Sequence, residues 1–410
     1  MNRKVLITGM GCISGLGAGM AESWRRASGG EGAIRPLTRE APTEPPAWDI
    51  SGPAAWIDPA ILDAALAGRN LRHLGQIDPL SAYALAAGVE AVEQAGLADH
   101  PALRDRTAVI LGCGSGGNAT IDAAYQRLYA RGLGKVHPQT IPASMISAPA
   151  SHIAMLFGIH GPAFVLASAC ASSAHALGEA MHMIRSGRVD VAIAGGAEAC
   201  LSLGSWVAWH SLGVIAQDTC RPFSTQRTGM ALGEGAGVLV LESEDHARAR
   251  GATILGELAG YGATSDAVDM TAPDVNGIMA AIRAAHEDAG VYLAEPALIS
   301  SHGTGTKLND PAEAAALHGV YGAALDEHVV IATKSAHGHM IGATGAVEFI
   351  LGMKALAEGL APPVLNHLGP DPECDLPLAL DPVPIAHRVL VSNSFAFGGL
   401  NAVLIGRKAA

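Results

Sequence analysis

A thiol, two imidazoles and an ammonium group stand where apolar runs of the chain give way to polar ones. Cys170 lies between an apolar strand pattern and a helical pattern. Unpaired backbone N–H groups and the positive end of a helix dipole favour a thiolate at such a position. Cys170 is therefore a candidate covalent nucleophile. His302, Lys334 and His339 follow later strand patterns, and a glycine-rich stretch over 393–401 follows the last one.

Buried strands separated by helices must position these groups. We predict strands over 5–8, 108–111, 163–168, 191–194, 238–241, 254–260, 298–301, 329–332 and 389–392, with helices over 171–185 and 277–289. Strand-then-helix patterns of this kind favour parallel sheets covered by helices. Because parallel strands collect their carboxyl ends on one side of a sheet, the four strand-end motifs are expected to converge there.

Composition restricts the class of protein. The chain has 410 residues, of which 49% are hydrophobic and 16% charged, and it includes 50 glycines. This length corresponds to about two to three domain equivalents, and the composition excludes a disordered, collagen-like or coiled-coil protein. The net charge of −12 makes nucleic acid an improbable partner. Six cysteines with no CxxC motif indicate a reducing, cytoplasmic setting.

Several segments resemble motifs that we reject. The amino terminus has basic residues before an uncharged stretch, but its glycines favour a buried strand and a turn over a signal peptide. Residues 199–217 carry too many polar side chains for a transmembrane helix. Residues 9–14 lack the third glycine of a nicotinamide-binding fingerprint. We expect no metal at His337 and His339, because no third ligand stands at a familiar spacing.

Two further stretches concern the organisation of the chain. The charged residues 242–250 are the best candidate for a helical connector between two halves of the chain. The segment 34–53 is rich in proline and polar residues, so we expect a surface excursion there.

Together these motifs resemble the β-ketoacyl-acyl-carrier-protein synthases, the condensing enzymes of the thiolase superfamily. The likeness covers nearly the whole chain and includes residues 168–173, 221–223, 233–237, 301–306, 333–339 and 393–401. The pair of histidines is similar to that of the elongating type. Residues 219–225 and 371–376 are especially similar to nodulation protein E, within a likeness to the second ketosynthase class.

The resemblance implies an α/β, thiolase-like fold of two similar halves in a layered αβαβα arrangement. The halves are expected at residues 1–250, with the nucleophile, and 251–410, with the histidines. The active site is expected between them. No cofactor is expected on the enzyme itself, since the 4'-phosphopantetheine arm arrives on the acyl carrier protein.

The resemblance also implies a reaction, the decarboxylative Claisen condensation. An acyl chain is transferred to Cys170, and the backbone N–H groups of Cys170 and Phe397 hold the tetrahedral oxyanion. Malonyl-carrier protein then loses carbon dioxide. His302 and His339 stabilise the resulting enolate, which attacks the acyl group to give a chain two carbons longer.

Other residues receive supporting roles from the resemblance. Lys334 either biases the histidines and holds Glu313 or water, or is a structural ion-pair partner; the sequence leaves the two open. Phe397 resembles the residue that acts in this family as a gate between the acyl tunnel and the malonyl site. The expected substrate-binding residues are Thr304 and Thr306 for the pantetheine amides, Ser115 and Trp209 for the acyl tunnel, and Glu313 and Asn401.

Four positions depart from the family pattern, one of them Leu400, which replaces a frequent threonine. Ala396 replaces a glycine in the loop after the last strand, which places the kinetics of that loop in doubt. Thr228 stands where an aspartate is usual. The small Ser115 replaces a branched residue, which favours medium to long or unsaturated acyl chains.

Partners follow from the same resemblance. The substrates are malonyl and acyl thioesters on an acidic acyl carrier protein, which must dock on a local basic patch because the enzyme itself is acidic. The candidates for that patch are Arg69, Arg72, Arg131 and Lys135. A homodimer is expected. The alternatives are a non-catalytic partner subunit of the chain-length-factor type and a coenzyme A-dependent thiolase or acyltransferase.

Overall fold

The computed structural model describes residues 3–41, 46–98 and 100–409. The strands are β1 (Val5–Ser14), β2 (Arg35–Glu40), β3 (Asp49–Ala55), β4 (Thr107–Gly112), β5 (Ala163–Leu166), β6 (Val191–Glu198), β7 (Leu232–Gly233), β8 (Gly235–Ser243), β9 (Gly256–Ser265), β10 (Ala297–Ser300), β11 (Val329–Ile331), β12 (Leu360–Ala361), β13 (Val383–Pro384), β14 (Val389–Ala396) and β15 (Leu400–Lys408). The helices are α1 (Met20–Ser28), α2 (Pro59–Ala65), α3 (Pro79–Gln94), α4 (Asn118–Tyr125), α5 (Thr140–Ser144), α6 (Ala148–Phe157), α7 (Ser172–Arg185), α8 (Leu203–Ser211), α9 (Glu244–Ala249), α10 (Val275–Ala289), α11 (Asn309–Tyr321), α12 (Lys334–His337) and α13 (Thr344–Glu358).

The main sheet has ten strands and contains the same arrangement twice. Its order is β11-β10-β14-β15-β9-β1-β8-β6-β4-β5. In each half, three neighbouring strands are parallel, and two further strands extend the sheet with antiparallel pairing. The first half has β5-β4-β6 followed by β8-β1, and the second has β11-β10-β14 followed by β15-β9. The halves meet through a short pairing of β1 with β9. The sheets are therefore mixed, whereas the sequence pattern favoured parallel ones.

Helices cover both faces of each half of the sheet and produce five layers. One apolar cluster packs α3 and α6 against the first half, and another packs α10 and α11 against the second. A central cluster contains α7 and α13 with residues from both halves. The expected thiolase-like αβαβα arrangement is confirmed.

The residue pattern explains these layers. Along β8, Val238 and Val240 face the outer cluster, while Leu239 and Leu241 face the central one, as the two-residue period of a strand requires. Helix α13 is buried almost throughout its length, because it lies in the central layer between the two halves of the sheet rather than at the surface.

Two segments near the amino terminus differ from expectation. Strand β1 continues through the glycines that were predicted to form a turn. A Cβ at Gly9 would stand 2.0 Å from the Ala91 oxygen, and one at Gly11 would stand 2.0 Å from the Ala87 oxygen. The glycines therefore allow α3 to pack directly on the strand. The predicted surface excursion contains the antiparallel pair β2 and β3; its residues 42–45 lie outside the described residues.

The predicted connector and the rejected membrane segment take the following forms. Helix α9 forms within 242–250, between the strands of the two halves. Residues 199–217 contain the short helix α8, and no helix among the described residues has the length and apolar character needed to cross a membrane. All six cysteines are buried and unpaired.

Candidate active site

Cys170 lies in a tight turn, Ala169–Ala171, between β5 and the first residue of α7. Ala169 has φ of 46°, a left-handed conformation that costs an L-residue roughly 1–2 kcal/mol. The surrounding elements maintain this strained turn, which places Cys170 at the helix N-terminus, as the sequence predicted.

Burial dominates the ionisation of this thiol. Cys170 is 5% exposed, and burial raises its pKa to about 12 despite the charge of Lys334 and backbone N–H groups of Phe397 and Cys170, which lower it. Burial therefore opposes the thiolate that the helix start is predicted to favour. The two backbone N–H groups at the sulfur are donors of the kind that an oxyanion hole uses.

A single cavity of about 420 Å³ brings the predicted chemical groups together. Its lining includes Cys170, His302, His339, Thr304, Thr306, Trp209, Phe397 and Asn401. The two imidazole rings stand edge to face, with centroids 5.4 Å apart. Residues separated by more than 130 positions in sequence thus converge, because the two halves of the sheet present their strand ends to the same space.

Both histidines are neutral at physiological pH. Burial, then the positive charge of Lys334, holds the pKa of His302 and of His339 well below the ordinary value. Nδ1 of His339 lies 3.0 Å from the Thr344 hydroxyl. Nε2 of His339 and Nδ1 of His302 have no hydrogen-bond partner among the described residues. Because Nδ1 of His339 can accept from the Thr344 hydroxyl, its Nε2 can carry the one N–H of a neutral imidazole and donate it to a ligand.

Lys334 is fully buried and forms an ion pair with Glu348, with Nζ 2.8 Å from Oε2. Its ammonium group also donates to the backbone oxygen of His302. The ammonium thus combines the two roles that the sequence left open, since it is an ion-pair partner that also supports a histidine. The carboxylate it holds belongs to Glu348 and not to Glu313.

Glu313 is buried beneath the cavity and does not line it. Its carboxylate accepts from the backbone N–H groups of His302 and Gly303 at 2.7 and 2.8 Å, and from the Asn393 amide at 3.1 Å. These contacts hold the histidine loop to β14, so the geometry gives Glu313 a positioning role in place of the expected contact with substrate.

Aromatic and hydroxyl groups line the remainder of the cavity. The rings of Trp209 and Phe397 stack with centroids 6.2 Å apart. The hydroxyls of Thr304 and Thr306 are 2.9 Å apart. The Asn401 amide donates to Asp266 at 2.6 Å, which fixes it at the cavity wall.

The loop after β14 accommodates the departure from the family pattern. Gly398 and Gly399 have φ of 83° and 68°, values that suit glycine. Ala396 instead ends the extended strand, so its Cβ requires no strained backbone.

Ser115 is exposed and lies outside this cavity. Its hydroxyl donates to Glu198 at 2.7 Å. The single chain therefore does not bring Ser115 to the groups that surround Cys170.

The structure brings two of the four candidate docking residues together in one cleft. Arg72 and Lys135 line a second cleft, next to α4, together with Arg127. Arg69 is engaged in an ion pair with Glu93, and Arg131 is exposed outside that cleft.

Sequence reasoning missed three residues that support the site. They are Glu348, Thr344 and Glu198; the last is fully buried and accepts from the backbone N–H groups of Gly114 and Gly342 at 2.7 and 3.0 Å. An acid within the apolar first part of helix α13 was an available signal for Glu348. Nothing local distinguished the other two.

Among the described residues, no cluster of three or more His, Cys, Asp or Glu side chains has a metal-binding arrangement.

Comparison with known proteins adds independent evidence. Residues 2–247 match the family model "Beta-ketoacyl synthase, N-terminal domain", and residues 255–367 match "Beta-ketoacyl synthase, C-terminal domain". The chain is 40% identical to Nodulation protein E of Rhizobium sp. (strain N33) over 409 residues, which is 100% of both chains. It is 34% identical to 3-oxoacyl-[acyl-carrier-protein] synthase 2 of Staphylococcus aureus (strain COL) over 419 residues, covering 99% of each.

A solved structure gives the same result in three dimensions. The chain is similar to a structure titled "The ishigamide ketosynthase/chain length factor", with a TM-score of 0.92, 34% identity and complete coverage of both chains.

Proposed function

The chain belongs to the beta-ketoacyl synthase family, and from that premise we propose how its cavity performs a decarboxylative Claisen condensation. The observation that supports this function best is the convergence of Cys170, His302 and His339 on one cavity. A sulfur nucleophile next to two neutral N–H donors suits acyl transfer followed by formation of an enolate.

The first step is acyl transfer. The Cys170 sulfur attacks the carbonyl carbon of an acyl thioester, and the backbone N–H groups of Cys170 and Phe397 receive the developing oxyanion. The carbon–sulfur bond to the carrier arm breaks as the tetrahedral intermediate collapses. The proton of the neutral thiol leaves with the carrier thiol, so no lasting charge remains in the buried cavity.

The second step uses the imidazoles. The bond from the malonyl carbon to its carboxylate breaks, carbon dioxide leaves, and the electron pair enters an enolate whose oxygen accepts from His302 and His339. These donors gain most where negative charge develops, because the cavity is buried and the imidazoles are already oriented. The enolate carbon then attacks acyl-Cys170, and the cysteine sulfur departs and takes a proton from solvent, which balances the negative charge that the malonyl carboxylate brought in.

The experiment follows both steps with malonyl-carrier protein and an acyl-carrier protein. Cys170→Ala is expected to abolish condensation and to retain release of carbon dioxide, since that step needs the imidazoles and not the sulfur. His302→Ala and His339→Ala are expected to lower carbon dioxide release by about 10²–10³, as removal of an oxyanion donor does in other enzymes, while Cys170 still accepts an acyl group. Cys374→Ala, at a buried thiol outside the cavity, is the matched control.

Each result has a clear opposite. If the wild-type chain releases no carbon dioxide from malonyl-carrier protein, the condensing function is refuted and the alternatives of a non-catalytic subunit or a coenzyme A-dependent enzyme remain. If Cys374→Ala loses condensation as Cys170→Ala does, the assignment of the nucleophile is wrong.

We propose that two copies associate through the free edge of β5. This strand pairs only with β4 at the end of the described sheet, and Phe164 on it is 37% exposed. Exposed large apolar side chains concentrate nearby, at Tyr125, Tyr129, Leu133, Ile141, Met145, Ile146 and Met155. An apolar surface beside an unprotected strand edge is typical of a protein interface.

The oligomeric state tests this interface. Wild-type chain is expected to sediment as a homodimer and Phe164→Asp as a monomer. Tyr292→Asp changes an aromatic residue that is 82% exposed elsewhere and is expected to remain dimeric. A monomeric wild-type chain that dimerises only with a different ketosynthase-like subunit would replace the homodimer by a heterodimer.

The acyl chain is proposed to reach the same surface. Ile341 contacts the region of Gly114 and packs in the apolar cluster of Cys170, and Ser115 next to it is exposed. A second subunit would enclose this path, so the small Ser115 leaves room for medium to long or unsaturated chains. If Ser115→Ile leaves the distribution of product lengths unchanged, this assignment fails.

The carrier protein is proposed to dock at the cleft of Arg72, Arg127 and Lys135. None of these three has an ion-pair partner among the described residues, so they remain available to an acidic partner. Arg72→Glu/Lys135→Glu is expected to raise KM about tenfold for carrier-bound malonate and not for malonyl-pantetheine. An equal change for both substrates would exclude docking at this cleft.

We also propose a cytoplasmic location, which suits six unpaired cysteines.

A further inference from the structure

Lys307 is the one permanently charged side chain in the described lining of the active-site cavity. It is exposed, and it forms no ion pair or hydrogen bond with any described residue. The rest of the lining is apolar or uncharged. Thr228, where an aspartate is usual in this family, lies in the same lining and leaves the ammonium group without a counter-charge.

The position of Lys307 relates it to the outer part of the cavity. It directly follows Thr306, and Leu308 beyond it is 60% exposed, whereas His302 and His339 are 3% and 1% exposed. A substrate arm that reaches Cys170 must therefore pass the threonines before it leaves the protein beside Lys307. Met270, 73% exposed, borders the same cavity, so the ammonium group stands on a rim that is otherwise uncharged.

We propose that Lys307 binds the phosphate of the 4'-phosphopantetheine arm. The arm carries its thioester at one end, two amides along its length and a phosphate at the other end. With the thioester at Cys170 and the amides near Thr304 and Thr306, the phosphate end lies toward the rim. An unopposed ammonium group is suited to a phosphate oxygen, to which it donates a charge-assisted hydrogen bond.

The malonyl carboxylate is the other anion of the substrate, and the geometry does not favour it as the ligand of Lys307. That carboxylate lies next to the thioester and must be near the buried imidazoles when it leaves as carbon dioxide. Lys307 is exposed and belongs to the entrance. The inference rests on the proposed function for the identity of the substrate, but not for the accessibility of Lys307 itself.

The test compares malonyl-phosphopantetheine with malonyl-pantetheine, which lacks only the phosphate. Lys307→Met is expected to raise KM for the phosphorylated substrate about fivefold, the scale of an exposed ionic contact, and to leave KM for the other unchanged. Lys307→Arg is expected to restore most of the loss. Lys4→Met is the control, since Lys4 is also an exposed lysine and lies outside the cavity lining.

A second readout does not depend on condensation. Phosphopantetheine in the cavity should protect Cys170 from alkylation, and Lys307→Met should weaken that protection while protection by pantetheine stays the same. This measurement distinguishes failure of the inference from failure of the proposed function, because it needs no turnover.

Three outcomes would overturn the inference. Equal KM changes for both malonyl substrates would assign Lys307 to the malonyl carboxylate or to packing. An effect seen only with the intact carrier protein would assign it to an acidic residue of that protein. Unchanged KM and unchanged protection would show that Lys307 has no ligand at this site.

Discussion

The buried pair of Lys334 and Glu348 supports a prediction about both stability and catalysis. Both side chains are inaccessible, at 0% and 1% exposure. Lys334→Met leaves an unpaired buried carboxylate, and Glu348→Gln leaves an unpaired buried ammonium. Either change is expected to cost about 3–5 kcal/mol, the usual effect of breaking a buried pair. The double variant Lys334→Met/Glu348→Gln is expected to cost less than the sum of the two.

The thermal shift follows from the size of the chain. An unfolding entropy of about 2.1 cal/mol/K per residue corresponds to about 0.9 kcal/mol/K for 410 residues. A loss of about 4 kcal/mol therefore lowers the Tm by about 5 °C. Calorimetry on the wild type, both single variants and the double variant measures it. Strictly additive losses would show that the two groups are not coupled in the folded protein.

The pH dependence separates a catalytic influence from a structural one. The charge of Lys334 helps to hold the pKa of His302 and of His339 below the ordinary value. The proposed donors are neutral imidazoles, because a charged imidazolium is costly to bury. Carbon dioxide release is therefore expected to fall as the pH drops through these lowered pKa values. Lys334→Met removes the positive charge, raises both pKa values and moves the acid limb to higher pH.

Glu348→Gln is the matched control for that shift. It breaks the same ion pair but leaves the positive charge near the histidines, so the acid limb is expected not to move to higher pH. The assay is carbon dioxide release from malonyl-carrier protein at pH values from about 4 to 8. If both single variants move the limb in the same direction by the same amount, the influence of Lys334 on the imidazoles is refuted.

Three further predictions concern individual groups. Because the pKa of Cys170 is raised to about 12, alkylation by iodoacetamide should increase about tenfold per pH unit from pH 7 to 10; a plateau near pH 8 would contradict this. Thr344→Val should lower kcat for carbon dioxide release about tenfold with little change in KM, because the Thr344 hydroxyl no longer fixes which nitrogen of His339 carries the proton. An unchanged kcat would exclude that role. Burial raises the pKa of Glu242, but bonds from Arg250, His246 and Thr8 outweigh it and lower the pKa to about 2. The carboxylate thus stabilises the fold above its unfolded pKa. The wild-type protein should lose this stability as the pH falls from about 4.5 to 2, and Glu242→Gln should not; denaturation at these pH values measures the difference.

The sequence predicted the reactive groups better than it predicted their support. Cys170, His302 and His339 could be found because each directly follows a strand pattern, and strand ends of an α/β sheet meet on one side. Glu348 and Thr344 lie on helix α13, where their neighbours in sequence are apolar. Their partners, Lys334 and His339, come from other segments, and only the folded chain brings the two sets together.

The same distinction explains the errors in the fold. Alternation of apolar residues identified most strands, since the two faces of β8 contact different clusters. It carried no information on strand direction, so the antiparallel pairs of β8 and β15 were missed. The glycines of β1 were interpreted as a turn because their reason for being glycine, the close approach of α3, lies about 80 residues away in sequence.

The charges of the site direct its electrostatic effect to the enolate. At physiological pH the cavity combines a protonated Cys170, two neutral imidazoles and a Lys334 charge that Glu348 balances. When malonyl-carrier protein binds, the sulfur of Cys170 carries the acyl group, so it adds no charge that would repel the malonyl carboxylate or the enolate. With a neutral acyl-cysteine and neutral donors, the enolate oxygen becomes the first uncompensated charge of the reaction. Preorganised donors in a buried site have their largest effect on such a developing charge, so the neutral surroundings favour formation of the enolate that makes the carbon–carbon bond.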